Sequence, residues 1–190
     1  MDNIYLASSS SWRAKILQDA GLEIQTFPSS IDEYAIVGAT PIETAVLRAR
    51  AKGESVLSSL PKEALIIAAD QVVYLQGVIF DKPKNDEEWF SRLCLFRGNG
   101  HDLTTAVSIF YRDQRFDIQQ HSRVFFRKDL SDLELRAYIQ DGEAQACAGG
   151  YMVEQKGSWL IERVEGDWLN VVGLPLFAIL HQLRQLGWRD

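Results

Sequence analysis

The chain has 190 residues, 46% of them hydrophobic, and a formal charge of -6 at pH 7. That is enough apolar side chain for one large domain or two closely joined lobes, and the acidic balance excludes a general affinity for nucleic acid or anionic lipid. No apolar run approaches membrane-spanning length, and MDNIYLASSS lacks the basic-then-apolar order of an export signal, so a cytoplasmic protein is expected.

In chain order, Asn3 to Ala7 reads as a buried strand, Ser10 as a helix cap, and Gly21 as the stop of a helix containing Ile16 and Leu17. A short strand follows around Ile24 to Phe27. Thr40, Pro41 and Glu43 form a capping box with proline at the first helical position, opening a helix that runs toward Leu57. Ala64 to Ala69 is apolar throughout, the pattern of a strand covered on both faces, and the run ends at Asp70. Val72 to Tyr74 and Val78 to Phe80 flank Gly77 as a hairpin. Asn85 with Glu88 caps the next helix, closed by Gly98, Asn99 and Gly100.

Two long strands come next, around Leu103 to Tyr111 and Phe116 to Arg127, joined by a polar turn near Arg112 and Asp113. Ser131 with Glu134 makes a second capping box, for a helix that Gly142 ends. Strands near Gly150 to Val153 and Trp159 to Val164 precede a final helix from Pro175 to Leu186. Helices and strands alternate irregularly, with hairpins among them, which predicts an α/β domain with a mixed sheet. No repeat, low-complexity tract or linker interrupts residues 1–190, so they are expected to form one domain; the hairpin-rich middle suits a second lobe, with no marked boundary.

Chemistry-bearing residues stand at element ends. The stretch LASSSSWR runs from a buried strand through serines into a helix N-terminus, where backbone N–H groups, hydroxyls and the helix dipole favour an anion; Arg13 sits in the first turn. Taken alone, the same serines read as ordinary helix caps and Arg13 as a solvated charge. Asp70 follows six apolar residues, where a central strand reaches its C-terminal edge and open α/β sheets bind ligands. Lys82-Pro83 holds a lysine out from a turn, Lys52 lies in the helical run ARAKGES, and Asp32-Glu33 lies in SSIDEY. Each of these is individually an ordinary surface charge. Cys94 and Cys147 match no disulfide or zinc spacing, and His101, His121 and His181 are scattered, so no histidine metal site is expected.

In series, LASSSSWR, SSIDEY, RAKGES, AADQVV, FDKP, GNGHDLTTAV, DLSDLELRAYIQDGE, CAGGY and EGDWLNVVGLPL resemble the Maf family of nucleoside triphosphate pyrophosphatases, from about Tyr5 to Leu176. The resemblance implies an elongated mixed β-sheet with flanking helices and two lobes around a cleft. It also implies hydrolysis of a nucleoside triphosphate to the monophosphate and pyrophosphate with a divalent metal, magnesium or manganese. Family members clear non-standard or excess nucleotides, and some are linked to inhibition of septum formation, so a nucleotide-binding regulator with little turnover is the contrasting reading. The partner implied is a small-molecule nucleoside triphosphate, not nucleic acid or membrane, with a homodimer left open.

Carried over by position, Asp70 is the implied proton acceptor, and Arg13, Glu33, Lys52 and Lys82 are the motif's other charges. Asp70 and Glu33 would hold the metal through oxygen; Arg13, Lys52 and Lys82 would grip the triphosphate, with Ser8 and Ser10 as neutral donors. The pattern departs from the family at Ser11 and Trp12, where proline and arginine are usual. Trp12, Gln71, Cys147 and Glu154 together resemble the branch acting on 7-methyl-GTP; the dTTP and UTP branch has arginine, threonine, lysine and glutamine there. An indole at Trp12 suits the cationic ring of methylated guanine, and a carboxylate at Glu154 suits its N–H donors. Without the family frame, Trp12 reads as a core-covering helix residue and Glu154 as a hairpin residue. Trp168 and the Gly149-Gly150-Tyr151 run depart from that branch.

Overall fold

The computed structural model describes residues 3–145 and 147–188. Seven strands, β1 (Ile4–Leu6), β2 (Ile24–Thr26), β3 (Leu65–Leu75), β4 (Val78–Phe80), β5 (Gly100–Tyr111), β6 (Gln114–Phe126) and β7 (Ile161–Gly166), form a sheet of order β2-β1-β3-β5-β6-β7, with β4 also paired to β3. Among the described residues six helices accompany it: α1 (Ser11–Asp19), α2 (Pro41–Glu54), α3 (Asp86–Phe96), α4 (Asp132–Asp141), α5 (Trp168–Val172) and α6 (Leu176–Gln185). The pairing is mixed, parallel between β1 and both β2 and β3, antiparallel for β3 with β4 and β6 with β7. The α/β class and mixed sheet expected from the alternation are therefore found.

The chain divides into two compact units, Met1–Gln71 with Thr104–Gln120 and Gly173–Asp190, and Val72–Leu103 with His121–Val172. In the first, Ile4, Tyr5 and Leu6 face Leu65, Ile66 and Ile67 across the parallel ladder, and β3 is buried throughout this stretch because β1 flanks it in the sheet and apolar side chains cover it. Ala7, Val56, Ala64, Ile66, Ala68 and Phe110 make one of its core clusters, with Tyr5 and Leu60 packed against it. Gly53 in α2 lets the helix press on this cluster: a Cβ there would lie 2.1 Å from the Phe110 ring. That close approach carries the C-terminal end of α2, and Lys52 with it, down onto the sheet.

In the second unit Phe96 stacks on His101 at 3.8 Å between ring centroids and meets Phe126 edge-on at 5.7 Å, while Trp89 meets Tyr138 edge-on at 6.1 Å, joining α3 to α4. His101 is fully buried, and burial, aided by the charge of Arg123, pushes its pKa down to about 3. Among the described residues its ring is hydrogen-bonded through Nε2 to the Tyr151 hydroxyl at 2.7 Å.

The caps at Ser10, Asn85 and Ser131 form as expected, the last as a full capping box, and Gly142 closes α4 in the left-handed region at φ 70. Five expectations need correction. The box at Thr40 is half made, because the Glu43 carboxylate takes the Ala39 N–H at 2.7 Å instead of that of Thr40. Helix α2 stops at Glu54, and a separate 3₁₀ turn holds Leu57–Ser59. No strand forms at 150–153, where Gly150 turns at φ 72 and Trp89 takes its carbonyl; the segment is a buried loop. The last helix begins one residue later than expected, with Pro175 at the N-cap position of α6, and the five-residue α5 precedes it. Asp70, finally, does not end its strand, since β3 runs on through it to Leu75.

Candidate active site

Strand β3 changes partner along its length. Its register with β1 ends at Ile67, and its register with β4 begins at Val73. Asp70 lies between the two registers, where β3 has passed β1 and not yet met β4, although β5 also neighbours β3 in the sheet. Its carboxyl is 7% exposed. Oδ1 accepts from Lys52 Nζ at 2.6 Å, and Oδ2 is buried with no hydrogen-bond partner among the described residues.

Lys52, 13% exposed, reaches this carboxylate from the last turn of α2 and pairs at the same time with Glu33 Oε2. Glu33 opens a short 3₁₀ turn, Glu33–Ala35, whose cap is Asp32, accepting from Tyr34 N at 3.1 Å. The two acids of SSIDEY thus divide the work: Asp32 shapes the backbone and Glu33 points at the lysine. The loop beyond is fastened to α2 by side chains one turn apart. Thr44 Oγ1 accepts from Gly38 N at 3.0 Å, Arg48 Nε donates to the Ile36 carbonyl at 3.1 Å with its guanidinium over the Tyr34 ring, and Lys52 meets Glu33. Residues 44, 48 and 52 lie on one stripe of the helix and grip the loop at successively earlier points.

Arg13, in the first turn of α1, donates from Nη1 to the Ala69 carbonyl at 2.7 Å and from Nε to Gly173 at 3.1 Å. Its guanidinium is therefore locked beside the residue preceding Asp70. Burial lowers its pKa, opposed by the negative charges of Asp70 and Glu33, and it remains a cation. The serines between β1 and α1 are partly spent on the turn itself: Ser8 Oγ accepts from Ser10 N at 3.2 Å, and Ser10 Oγ accepts from Arg13 N at 3.3 Å. Their hydroxyl hydrogens remain to be donated. Trp12 is half-buried in the same first turn, and Gln71, next to Asp70, donates from Nε2 to Thr105 Oγ1 at 3.0 Å.

The first unit thus gathers Ser8, Ser10, Trp12, Arg13, Glu33, Lys52, Asp70 and Gln71. Lys82 and Glu154 belong to the second. Lys82 is exposed in the β4–α3 loop, ahead of the buried Pro83. Glu154 is half-buried, and burial, with the nearby charge of Glu143, raises its pKa. Cys147 feels the charges of both Glu154 and Lys82, and its thiol is pushed up to about 11, chiefly by burial, which makes it a poor nucleophile.

For a divalent cation, the oxygens of Asp70 and Glu33 converge on one point, marked by the Lys52 ammonium, and Asp70 keeps a second oxygen unpartnered. No group of three or more His, Cys, Asp or Glu residues among the described residues could hold a metal. Two carboxylates suit magnesium or manganese, which complete their shells with phosphate oxygens and water, and do not suit zinc. Asp70 and Glu33 would be the oxygen donors to such an ion, with the Lys52 ammonium displaced from between them. Sequence reasoning did not single out Thr44 and Arg48, because their partners are backbone groups of a loop.

A family model described as Maf-like protein matches residues 3–186, so the chain belongs to the Maf family. A dTTP/UTP pyrophosphatase of Caldicellulosiruptor saccharolyticus is 35% identical over 99% of this chain and 96% of its own. A 7-methyl-GTP pyrophosphatase of Bartonella quintana is 34% identical over 98% of this chain and 96% of its own. Among solved structures, a HAM1 protein from Coxiella burnetii is similar at a TM-score of 0.44 and 15% identity, covering 83% of this chain and 98% of that one. No helix among the described residues is long and apolar enough to cross a membrane.

Proposed function

We propose that the protein hydrolyses a nucleoside triphosphate to the monophosphate and pyrophosphate, with 7-methyl-GTP as its substrate. The observation that carries the reading is Asp70: a buried carboxylate with one oxygen held by Lys52 and the other open, flanked by a locked guanidinium. Membership of a family whose relatives are named as pyrophosphatases supports the same class. Asp70 accepts the proton of the water that attacks the α-phosphorus. The bond from that phosphorus to the bridging oxygen breaks, and pyrophosphate leaves with the electron pair. Lys52 and Arg13 neutralise charge on the phosphates, and the hydroxyls of Ser8 and Ser10 donate to them. A magnesium or manganese ion held by Asp70 and Glu33 would supply further neutralisation of the triphosphate. Lys82 as a phosphate contact, and Trp12, Gln71 and Glu154 as base contacts, keep the roles the family resemblance implies.

The second reading is a dTTP/UTP pyrophosphatase, favoured by the relative so named from Caldicellulosiruptor saccharolyticus. One assay decides: the protein is incubated with 7-methyl-GTP, dTTP, UTP and GTP plus magnesium or manganese, and pyrophosphate is measured. Faster release from 7-methyl-GTP is expected. Faster release from dTTP or UTP gives the second reading, and no release from any of the four sinks the enzyme.

A further inference from the structure

A buried arginine in the second unit has no part in the chemistry above. Arg92 lies in the middle of α3 and is 4% exposed. Burial lowers its pKa against the opposing charges of Glu88 and Asp81, and it stays charged. A buried cation gives up its hydration and persists only where protein groups replace it. What it receives is specific: Nη1 donates to the backbone carbonyls of both Asp81 and Ala148, and Nη2 pairs with Glu88 Oε1 at 3.0 Å. Asp81 immediately precedes Lys82, and Ala148 immediately follows Cys147 in the loop leading to Glu154.

We propose that Arg92 is a positioning residue, a clamp that holds the Lys82 loop and the 147–154 loop in one arrangement for substrate. This rests on the roles given above to Lys82 and Glu154. Neither loop has a ladder of its own to fix it. The Lys82 backbone is held by the Arg92 bond on one side and by the buried Pro83 on the other, leaving the lysine side chain exposed. The second loop is fastened at every other residue, at the Ala148 carbonyl by Arg92, at the Gly150 carbonyl by Trp89 Nε1 at 2.7 Å, and at Met152 N by the Tyr138 hydroxyl at 3.1 Å. Trp89 and Arg92, three apart, share one face of α3. Only the planar fork of an arginine reaches two diverging carbonyls and a carboxylate together; a lysine ammonium on a flexible stem does not hold that geometry. The two loops meet at the fork itself, where the one Nη1 donates to a carbonyl of each.

The test compares Arg92→Met, which keeps the bulk, and Arg92→Lys with the parent. Iodoacetamide alkylation of Cys147 and Cys94, followed by peptide mass spectrometry, reads the loop directly. Both thiols are half-buried. With the clamp removed, Cys147 is expected to react about tenfold faster as its thiol is rehydrated, with Cys94 unchanged. Pyrophosphate assays should show KM for 7-methyl-GTP rising about fivefold or more with kcat within about twofold, as for lost binding geometry, and Arg92→Lys should recover part of both effects. Unchanged Cys147 alkylation in Arg92→Met, or equal acceleration at both cysteines, overturns the clamp. If the parent protein releases no pyrophosphate, the nucleotide reading falls and with it the purpose of the clamp, while the alkylation ratio still decides whether the clamp exists.

Discussion

Lys52 is the residue on which the site balances. It is one ammonium between two carboxylates, nearly dehydrated on the side of Asp70, so removing it leaves two negative charges facing one another. Lys52→Met is expected to destabilise the protein by about 3 kcal/mol, read as a lower urea midpoint with an unchanged slope. Asp70→Asn keeps the shape but cannot accept a proton. Its pyrophosphate release should fall by a factor of about 10²–10⁴ with the fold retained by circular dichroism; turnover equal to the parent would remove Asp70 from its role. Glu154 belongs to the same scale. Its pKa is raised by burial, so lowering the pH protonates it earlier than an exposed glutamate and converts an acceptor for guanine N–H groups into a donor. Preference for 7-methyl-GTP over dTTP should therefore decline as pH falls, and Glu154→Gln should show a pH-independent, weaker preference. Parallel pH profiles in the two proteins would take base reading away from Glu154.

The elements that were legible in advance are those whose signals are local. Ser10, Asn85 and Ser131 cap their helices with side chains three residues from their targets, and Gly142 stops α4 with its own dihedral, so each is written in a few consecutive residues. What was hidden depends on a distant partner. Asp70 looked like a strand end because an apolar run stops there, yet β3 continues because β4 takes up pairing from Val73. The 150–153 run looked like a strand, yet Trp89 claims the Gly150 carbonyl. The charges of the site were visible as outliers, and the family pattern gathered them. Arg48 and Arg92 were not, since an arginine that donates to backbone carbonyls leaves no sequence mark. The stripe of Thr44, Arg48 and Lys52 on α2 makes this testable. Arg48→Met keeps the helix and the apolar stem but frees the Ile36 carbonyl and Tyr34, so the turn carrying Glu33 loses a fastening. Activity is expected to fall on the order of 10-fold to 100-fold through misplacement, with thermal stability lowered modestly; undiminished kcat/KM would show that the Arg48 fastening does not place Glu33.

For the molecule as a whole, the pH dependence of stability has an identifiable contributor outside the site. His101 is fully buried between Phe96 and Phe126, with Nδ1 lacking a hydrogen-bond partner among the described residues. Its folded pKa is about 3 against an ordinary 6.5, so between those values the unfolded chain takes up a proton that the folded chain refuses. Proton binding by the unfolded state makes stability rise with pH, so His101 costs nothing above about pH 7 and progressively destabilises the fold as pH drops toward 3. The full effect is on the order of 5 kcal/mol, comparable to much of the stability of an ordinary domain. Carboxylates titrate in the same range, so the total slope does not isolate the histidine. The variant His101→Phe does, because the difference between the two proteins cancels every other group. That variant leaves the Tyr151 hydroxyl without its partner and should be less stable at pH 7 by about 1–3 kcal/mol. As the pH is lowered the gap should narrow and then reverse, measured by urea unfolding at several pH values from 7 to 4. A gap that stays constant over that span would mean that the folded protein protonates His101 as readily as the unfolded chain does, which a fully buried ring stacked at 3.8 Å on Phe96 cannot do without opening the second unit.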